Sequence, residues 1–247
     1  MPSDPDGSTA ALNRVGPEAD HCHTPFATVG PVLFPSVCAV CGTPGPTPCR
    51  ACAGRLRPAG LIICPAGLDG CASLLDYGGA GRDLVLALKY RNHRAVVRPL
   101  GRAMAGLIEG PVDVVTWVPT TAARRRERGY DQARLLAREI GRTLGRPCRG
   151  LLRRAPGPAQ TGRSLAERQQ GPVLTARRPV RGTVLLVDDV LTTGASLAAA
   201  AATLRGAGAH GVEGVTAAVT PLKVGRTTAE NWVIDSSRTE WGSRACR

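Results

Sequence analysis

Aromatic residues are scarce in this chain: Tyr, Phe and Trp together make up 3% of 247 residues. That argues against a row of stacking platforms for unpaired bases and against an aromatic-lined base pocket. Lysine is almost missing, with Lys89 and Lys223 the only two among 32 basic residues. The rest are Arg, whose planar fork suits phosphates and carboxylates. No apolar run approaches the length of a membrane-spanning helix, so no insertion in a membrane is expected. The first residues carry Asp4 and Asp6 with no apolar run after them, so no signal peptide is expected and a cytoplasmic location follows by default. The nine Cys are an odd number, which in a reducing compartment favours metal ligands and free thiols over a disulfide framework.

What the chain does have is charge of one sign. The formal net charge is +13, from 32 basic and 19 acidic residues. Thirteen Arg lie between residues 122 and 168, against Glu127, Asp131, Glu139 and Glu167. A surplus of that size points to an anionic partner, a polyphosphate or a nucleic acid.

Pattern along the chain divides it into four. Residues 1–31 lack periodicity and read as a disordered tail; His21 and His23 there have no spaced metal-binding partners. Residues 32–58 hold a Cys-rich module. Residues 59–221 form an α/β domain, whose first part, to about residue 70, reads as linker. Residues 222–247 are a polar tail. Within the domain, Leu84, Val85 and Leu88 space as one helix, and Val96, Val97, Leu100, Met104 and Leu107 as another. Residues 112–118 and 183–187 read as buried strands, and 212–219 as a third. Asp131 can cap a helix with an apolar stripe of Leu135, Leu136, Ile140 and Leu144, stopped by Gly145 and Pro147. A last helix starts near Ser196 and links two strands as a βαβ unit.

Cys38-x2-Cys41 and Cys49-x2-Cys52 are paired turns of the kind that close a tetrahedral structural Zn²⁺ site. An iron–sulfur cluster would use the same donors, but nothing else here suggests redox chemistry. Cys64 and Cys71 are spaced too widely for a knuckle, and Cys148 reads as an ordinary thiol.

The central feature is Val184-Leu185-Leu186-Val187-Asp188-Asp189-Val190-Leu191-Thr192-Thr193-Gly194-Ala195-Ser196. Two carboxylates follow a strand buried on both faces, at the sheet edge where open α/β folds bind ligands. The hydroxyl-rich turn then opens a helix, leaving backbone amides for a phosphate. Acids beside a phosphate seat make sense if the ligand carries vicinal hydroxyls, which carboxylates accept from. A ribose 5-phosphate has that polarity. Asp188 and Asp189 could instead only cap the turn. A Walker B reading fails, because neither Lys follows a glycine-rich phosphate loop.

The segment resembles the thirteen-residue phosphoribosyl-pyrophosphate motif of type I phosphoribosyltransferases. That resemblance implies that Asp188 and Asp189 hold the ribose hydroxyls, and that Thr192, Thr193, Gly194, Ala195 and Ser196 bind the 5-phosphate. The chain from about residue 34 to 220 resembles a narrower group, the ComF family of competence-associated phosphoribosyltransferase-like proteins. Three further stretches carry this: Leu88-Lys89-Tyr90-Arg91, Arg126-Glu127-Arg128-Gly129-Tyr130-Asp131-Gln132, and Gln160-Thr161-Gly162-Arg163-Ser164-Leu165-Ala166-Glu167-Arg168. Asp131 stands where the family commonly has Asn, and Gly171 where an Asn commonly follows.

The implied fold is a type I phosphoribosyltransferase-like open parallel sheet flanked by helices, behind a small four-cysteine zinc knuckle. In that superfamily the turn at Pro119 and Thr120 approaches pyrophosphate. Arg124, Arg128 and Gly129 come next and can reach the same anion, with Lys89 a further candidate. Mg²⁺ would be carried on the substrate's own oxygens. Residues 155–172 read as a mobile lid, or equally as a nucleic-acid arm. Two functions stay open. One is a glycosyltransferase that moves ribosyl phosphate to an unnamed acceptor. The other, implied by the family, is a non-catalytic factor in DNA uptake that binds single-stranded DNA or competence and replication-restart proteins.

Overall fold

The computed structural model describes residues 36–155 and 171–221. The N-terminal tail, most of the 155–172 segment and the C-terminal tail lie outside the described residues. Four parallel strands form the main sheet: β1 (Gly70–Asp76), β2 (Val114–Trp117), β5 (Thr183–Leu191) and β6 (Gly211–Val219), in the order β1-β6-β5-β2. β3 (Leu152–Arg154) and β4 (Leu174–Ala176) make a separate antiparallel ribbon.

The two central strands show why the sheet is parallel and buried. Val184, Leu185, Leu186 and Val187 are all fully buried. Their side chains alternate between two cores, as a period of two requires. Leu185 and Val187 join the core built by α2 (Gly79–Tyr90), α3 (Val97–Ala105) and α5 (Gln132–Leu144). Val184 and Leu186 join the opposite core, where α6 (Ala195–Gly206) contributes Leu197, Ala200, Ala201 and Leu204. The sheet is therefore covered by helices on both faces. No helix among the described residues is long and apolar enough to cross a membrane.

Local signals set the helix ends. The Asp131 carboxylate accepts from the amide of Arg134 and starts α5, and Gly145 ends it with φ of 64°. Leu136 and Ile140 are fully buried beneath it, while Leu135 and Leu144 pack at the margin. α1 (Arg50–Ala53) belongs to the Cys-rich segment. That segment is anchored on the α/β body, because Ala39 lies inside the first core and Val40 and Leu56 pack against it.

The structure adds elements to those expected and extends one of them. Residues just beyond the supposed linker form β1, paired with β6 from Gly70 opposite Glu213. Its sequence, with Gly70, Cys71, Ala72 and Ser73, has few of the β-branched residues that signal a strand, and cross-strand pairing decides it. β5 does not stop at Val187 but pairs with β6 through Leu191. The Arg run forms its own short helix, α4 (Ala122–Arg128), capped by the Thr121 hydroxyl and ended by Gly129 with φ of 76°.

Truncating Leu136 removes a fully buried side chain where α5 meets the sheet. Leu136→Ala is expected to lower stability by about 3 kcal/mol in urea unfolding. A loss below about 1 kcal/mol would show that α5 is not held by this core.

Candidate functional site

Because β5 runs on to Leu191, Asp188 and Asp189 sit within the last residues of the strand. They open into a cleft of about 280 Å³ at the sheet's carboxyl edge. Thr192 and Ser196, beyond the strand, line the same cleft. Opposite them stand Pro119 and Thr120, which follow β2, and Arg124 and Arg128 of α4. Lys89 and Tyr90 close it from the end of α2, Gln132 from the start of α5, and Arg154 from β3. Thr193, Gly194, Ala195 and Gly129 belong to the adjoining turns and are not among the lining side chains.

The two acids differ. Asp189 is buried, and both of its oxygens have partners. The Lys89 ammonium lies 3.1 Å from Oδ1, and the Gln132 amide donates to Oδ2 at 2.6 Å. Lys89 thus directs its charge at Asp189. Asp188 is half-buried, and the amide of Asp189 donates to its Oδ1 at 2.8 Å. Burial holds the Asp188 carboxyl well above the usual carboxylate range, and the neighbouring Asp189 adds to that. The Asp189 amide and the Lys89 charge act the other way.

Asp131 does two jobs. Besides capping α5, its Oδ2 accepts from the amide of Thr120 at 3.1 Å and fixes the turn after β2. Burial raises its pKa, against the pull of those amides.

Arg128 packs 4.8 Å over the Tyr90 ring and donates from Nη2 to the Tyr90 hydroxyl at 3.2 Å. Its Nε and Nη1 are buried with no hydrogen-bond partner. Unpaired buried donors on an always-charged group are costly, and an acceptor in the cleft would satisfy them. The neighbouring Tyr130 hydroxyl donates to the carbonyl of Leu88, which ties this loop to the end of α2.

The turn into α6 needs Gly194 for two reasons. Its φ is 77°, and a Cβ there would fall 2.9 Å from Cγ of Pro65. Gly194 offers no side chain to cap α6, and the Thr193 hydroxyl accepts from the Ala195 amide at 3.4 Å.

Several lining residues were not singled out as site residues by the sequence. Gln132 and Tyr90 appear there only as members of two blocks that carry the family resemblance, and Tyr77 in none. Arg154 depends on the β3–β4 ribbon, which short irregular sequence does not announce; its Nη1 donates to the carbonyl of Pro119 at 3.4 Å.

The second candidate site is the Cys cluster. The Sγ atoms of Cys38, Cys41, Cys49 and Cys52 all lie within 4.8 Å of one another. Cys38 and Cys52 are buried, and the Cys49 amide donates to the Cys38 sulfur at 3.3 Å. Burial pushes the Cys38 thiol up, but the backbone amides of Cys49, Cys41 and Val40 outweigh it and bring its pKa to about 6. Burial pushes Cys52 up to about 12, with its three Cys neighbours adding to the shift. Crowding four thiols so closely is unfavourable once they ionise, unless a cation sits among them. The donor set fits a closed four-sulfur metal site with no open position. Cys71 is buried on β1 outside this cluster, and burial raises the thiol pKa of Cys148.

No family model matches this chain, and no curated protein matches it. Among solved structures it is similar to a glutamine phosphoribosylpyrophosphate amidotransferase from B. subtilis complexed with ADP and GMP. That match has 26% identity and a TM-score of 0.40, over 53% of this chain and 30% of the other. A structure described as the allosteric regulatory enzyme of purine biosynthesis matches at 21% identity and a TM-score of 0.37, with the same coverage, 53% and 30%. The chain therefore spans about a third of the length of these structures. Its own strand pairing shows an open four-stranded parallel sheet flanked by helices, preceded by a four-cysteine cluster able to chelate a metal.

The raised pKa of Asp188 has a consequence for stability. An acid that holds its proton more tightly when folded penalises the folded state as pH rises above the unfolded carboxyl value, about 4. The penalty is complete above the folded value. Asp188→Asn is expected to raise Tm at neutral pH, and the gap to the native protein should shrink as pH falls toward about 4. A variant no more stable than the native chain at neutral pH would contradict this.

Proposed function

We propose that the cleft binds a phosphoribosyl compound, phosphoribosyl pyrophosphate in the first place, and supports transfer of ribosyl phosphate to a nucleophilic acceptor. One observation carries this reading. A single cleft gathers the acid pair, the hydroxyls of Thr192 and Ser196 beside the start of α6, and Arg128 with two unpaired buried donors. The sugar hydroxyls face acceptors, the 5-phosphate faces the Thr192–Ser196 turn, and the pyrophosphate faces Arg124 and Arg128.

Transfer breaks the bond from the anomeric carbon to pyrophosphate oxygen, and the electron pair leaves with the pyrophosphate. The acceptor then bonds to that carbon. Positive charge develops on the ribose, where Asp188 and Asp189 oppose it. Negative charge builds on the leaving group, where Arg124 and Arg128 of the cleft lining would oppose it. Mg²⁺, when bound, neutralises pyrophosphate charge on the substrate's own oxygens. The four-cysteine cluster is assigned Zn²⁺, in a structural role.

A second reading draws on the other face of α4. This helix buries none of its residues, and Arg125 and Arg126, outside the cleft lining, are exposed in a chain of net charge +13. Such a surface suits single-stranded DNA or an acidic partner, as the competence resemblance implies.

Calorimetric titration with phosphoribosyl pyrophosphate, with and without Mg²⁺, separates the two. Binding by the native chain should weaken by about tenfold or more in the Asp188→Asn, Asp189→Asn double variant, and candidate bases should elicit pyrophosphate release. Unchanged affinity in that variant rejects the phosphoribosyl reading. Tight, salt-dependent DNA binding that the double variant retains would favour the second. For the cluster, metal analysis should find one zinc per chain, lost in Cys38→Ser together with a lower Tm. Stoichiometric zinc in that variant would refute the ligand set.

A further inference from the structure

Each Asp189 oxygen already has a protein partner, Lys89 at 3.1 Å on one and Gln132 at 2.6 Å on the other. If the ligand presents two hydroxyls, a further acceptor beside Asp188 would receive the second without adding to the load on Asp189.

Gln132 supplies it. The residue is 6% exposed and lines the cleft from the first position of α5. An ionised carboxylate only accepts, so the Gln132 NH2 group must be the end that faces Asp189. That orientation leaves the carbonyl Oε1 at the other end of the amide. Oε1 is buried and has no hydrogen-bond partner. A buried carbonyl without a donor is costly, and such orphans in folded proteins call for a reason.

The chemistry of the missing partner is constrained. Oε1 accepts and cannot donate. Phosphate and pyrophosphate oxygens also accept, so neither can satisfy it. A hydroxyl can. Asp188 in the same cleft is likewise an acceptor, and two acceptors together suit a vicinal diol.

Resting on the phosphoribosyl reading above, we infer that Gln132 is a specificity-determining residue whose carbonyl accepts a hydrogen bond from a ribose hydroxyl. Asp189 is the positioning residue that holds the amide in the accepting orientation. Lys89 lies 3.1 Å from Asp189 and balances its charge. The site then selects ribose over deoxyribose through Gln132.

The test measures affinity of the full chain for ribose 5-phosphate and for its 2-deoxy and 3-deoxy analogues by calorimetry. The native protein should bind ribose 5-phosphate about tenfold or more tighter than one of the two analogues. Gln132→Met, similar in size but without the amide, should bind ribose 5-phosphate only as weakly as the native chain binds that analogue, and should no longer tell the two apart. A native protein that binds all three sugars equally overturns the inference and needs no variant. So does a variant that keeps the discrimination, or one that weakens all three sugars by the same factor, since that would make Gln132 only a prop for Asp189. Failure of the native chain to bind ribose 5-phosphate at all would instead sink the phosphoribosyl reading itself.

Discussion

A carboxylate buried at the end of a central strand must be compensated, and the compensation of Asp189 organises the cleft. Lys89 reaches it from α2 and Gln132 from α5, so three separate elements converge on one side chain. Removing one partner from a buried, paired charge commonly costs about 3–5 kcal/mol, because the other charge stays buried. The sheet edge cannot close over such a group or leave it bare. It is held open as a cleft, with α2 and α5 fixed at its rim.

From that constraint follows the asymmetry of the acid pair. Both oxygens of Asp189 have a protein partner. Asp188 is half-buried beside it and carries a raised pKa. Placing a second acid next to the first costs stability, which a fold alone has no reason to accept. The same holds for Arg128, with two buried donors unpaired, and for Gln132, with its carbonyl unpaired. One cleft thus holds unsatisfied donors on Arg128 and an unsatisfied acceptor on Gln132, which supports the proposed ligand carrying both anionic groups and hydroxyls.

The four-cysteine cluster contributes in another way. Ala39, between two of its ligands, lies in the core that also holds α2, α3 and α5. A metal there would stabilise the packing beside α2, the helix that delivers Lys89. Its coupling to the cleft is through shared core and not through shared ligand.

The sequence by itself determined much of this protein. The run from Val184 to Val187 is apolar on both faces, which demands a strand covered on two sides. The Asp131 and Gly145 pair bounds α5, and the two Cys-x2-Cys turns state their cluster through spacing alone. These features are local, and local rules read them. Tertiary structure decided the rest. β1 exists because β6 offers a partner, since Gly70, Cys71, Ala72 and Ser73 carry little strand preference of their own. The different fates of Asp188 and Asp189, adjacent and chemically identical, depend on which of them meets Lys89 and Gln132. Those residues lie about a hundred and about sixty positions away along the chain. No periodicity or motif encodes such a meeting, because only the packing of α2 and α5 on one face of the sheet brings them together.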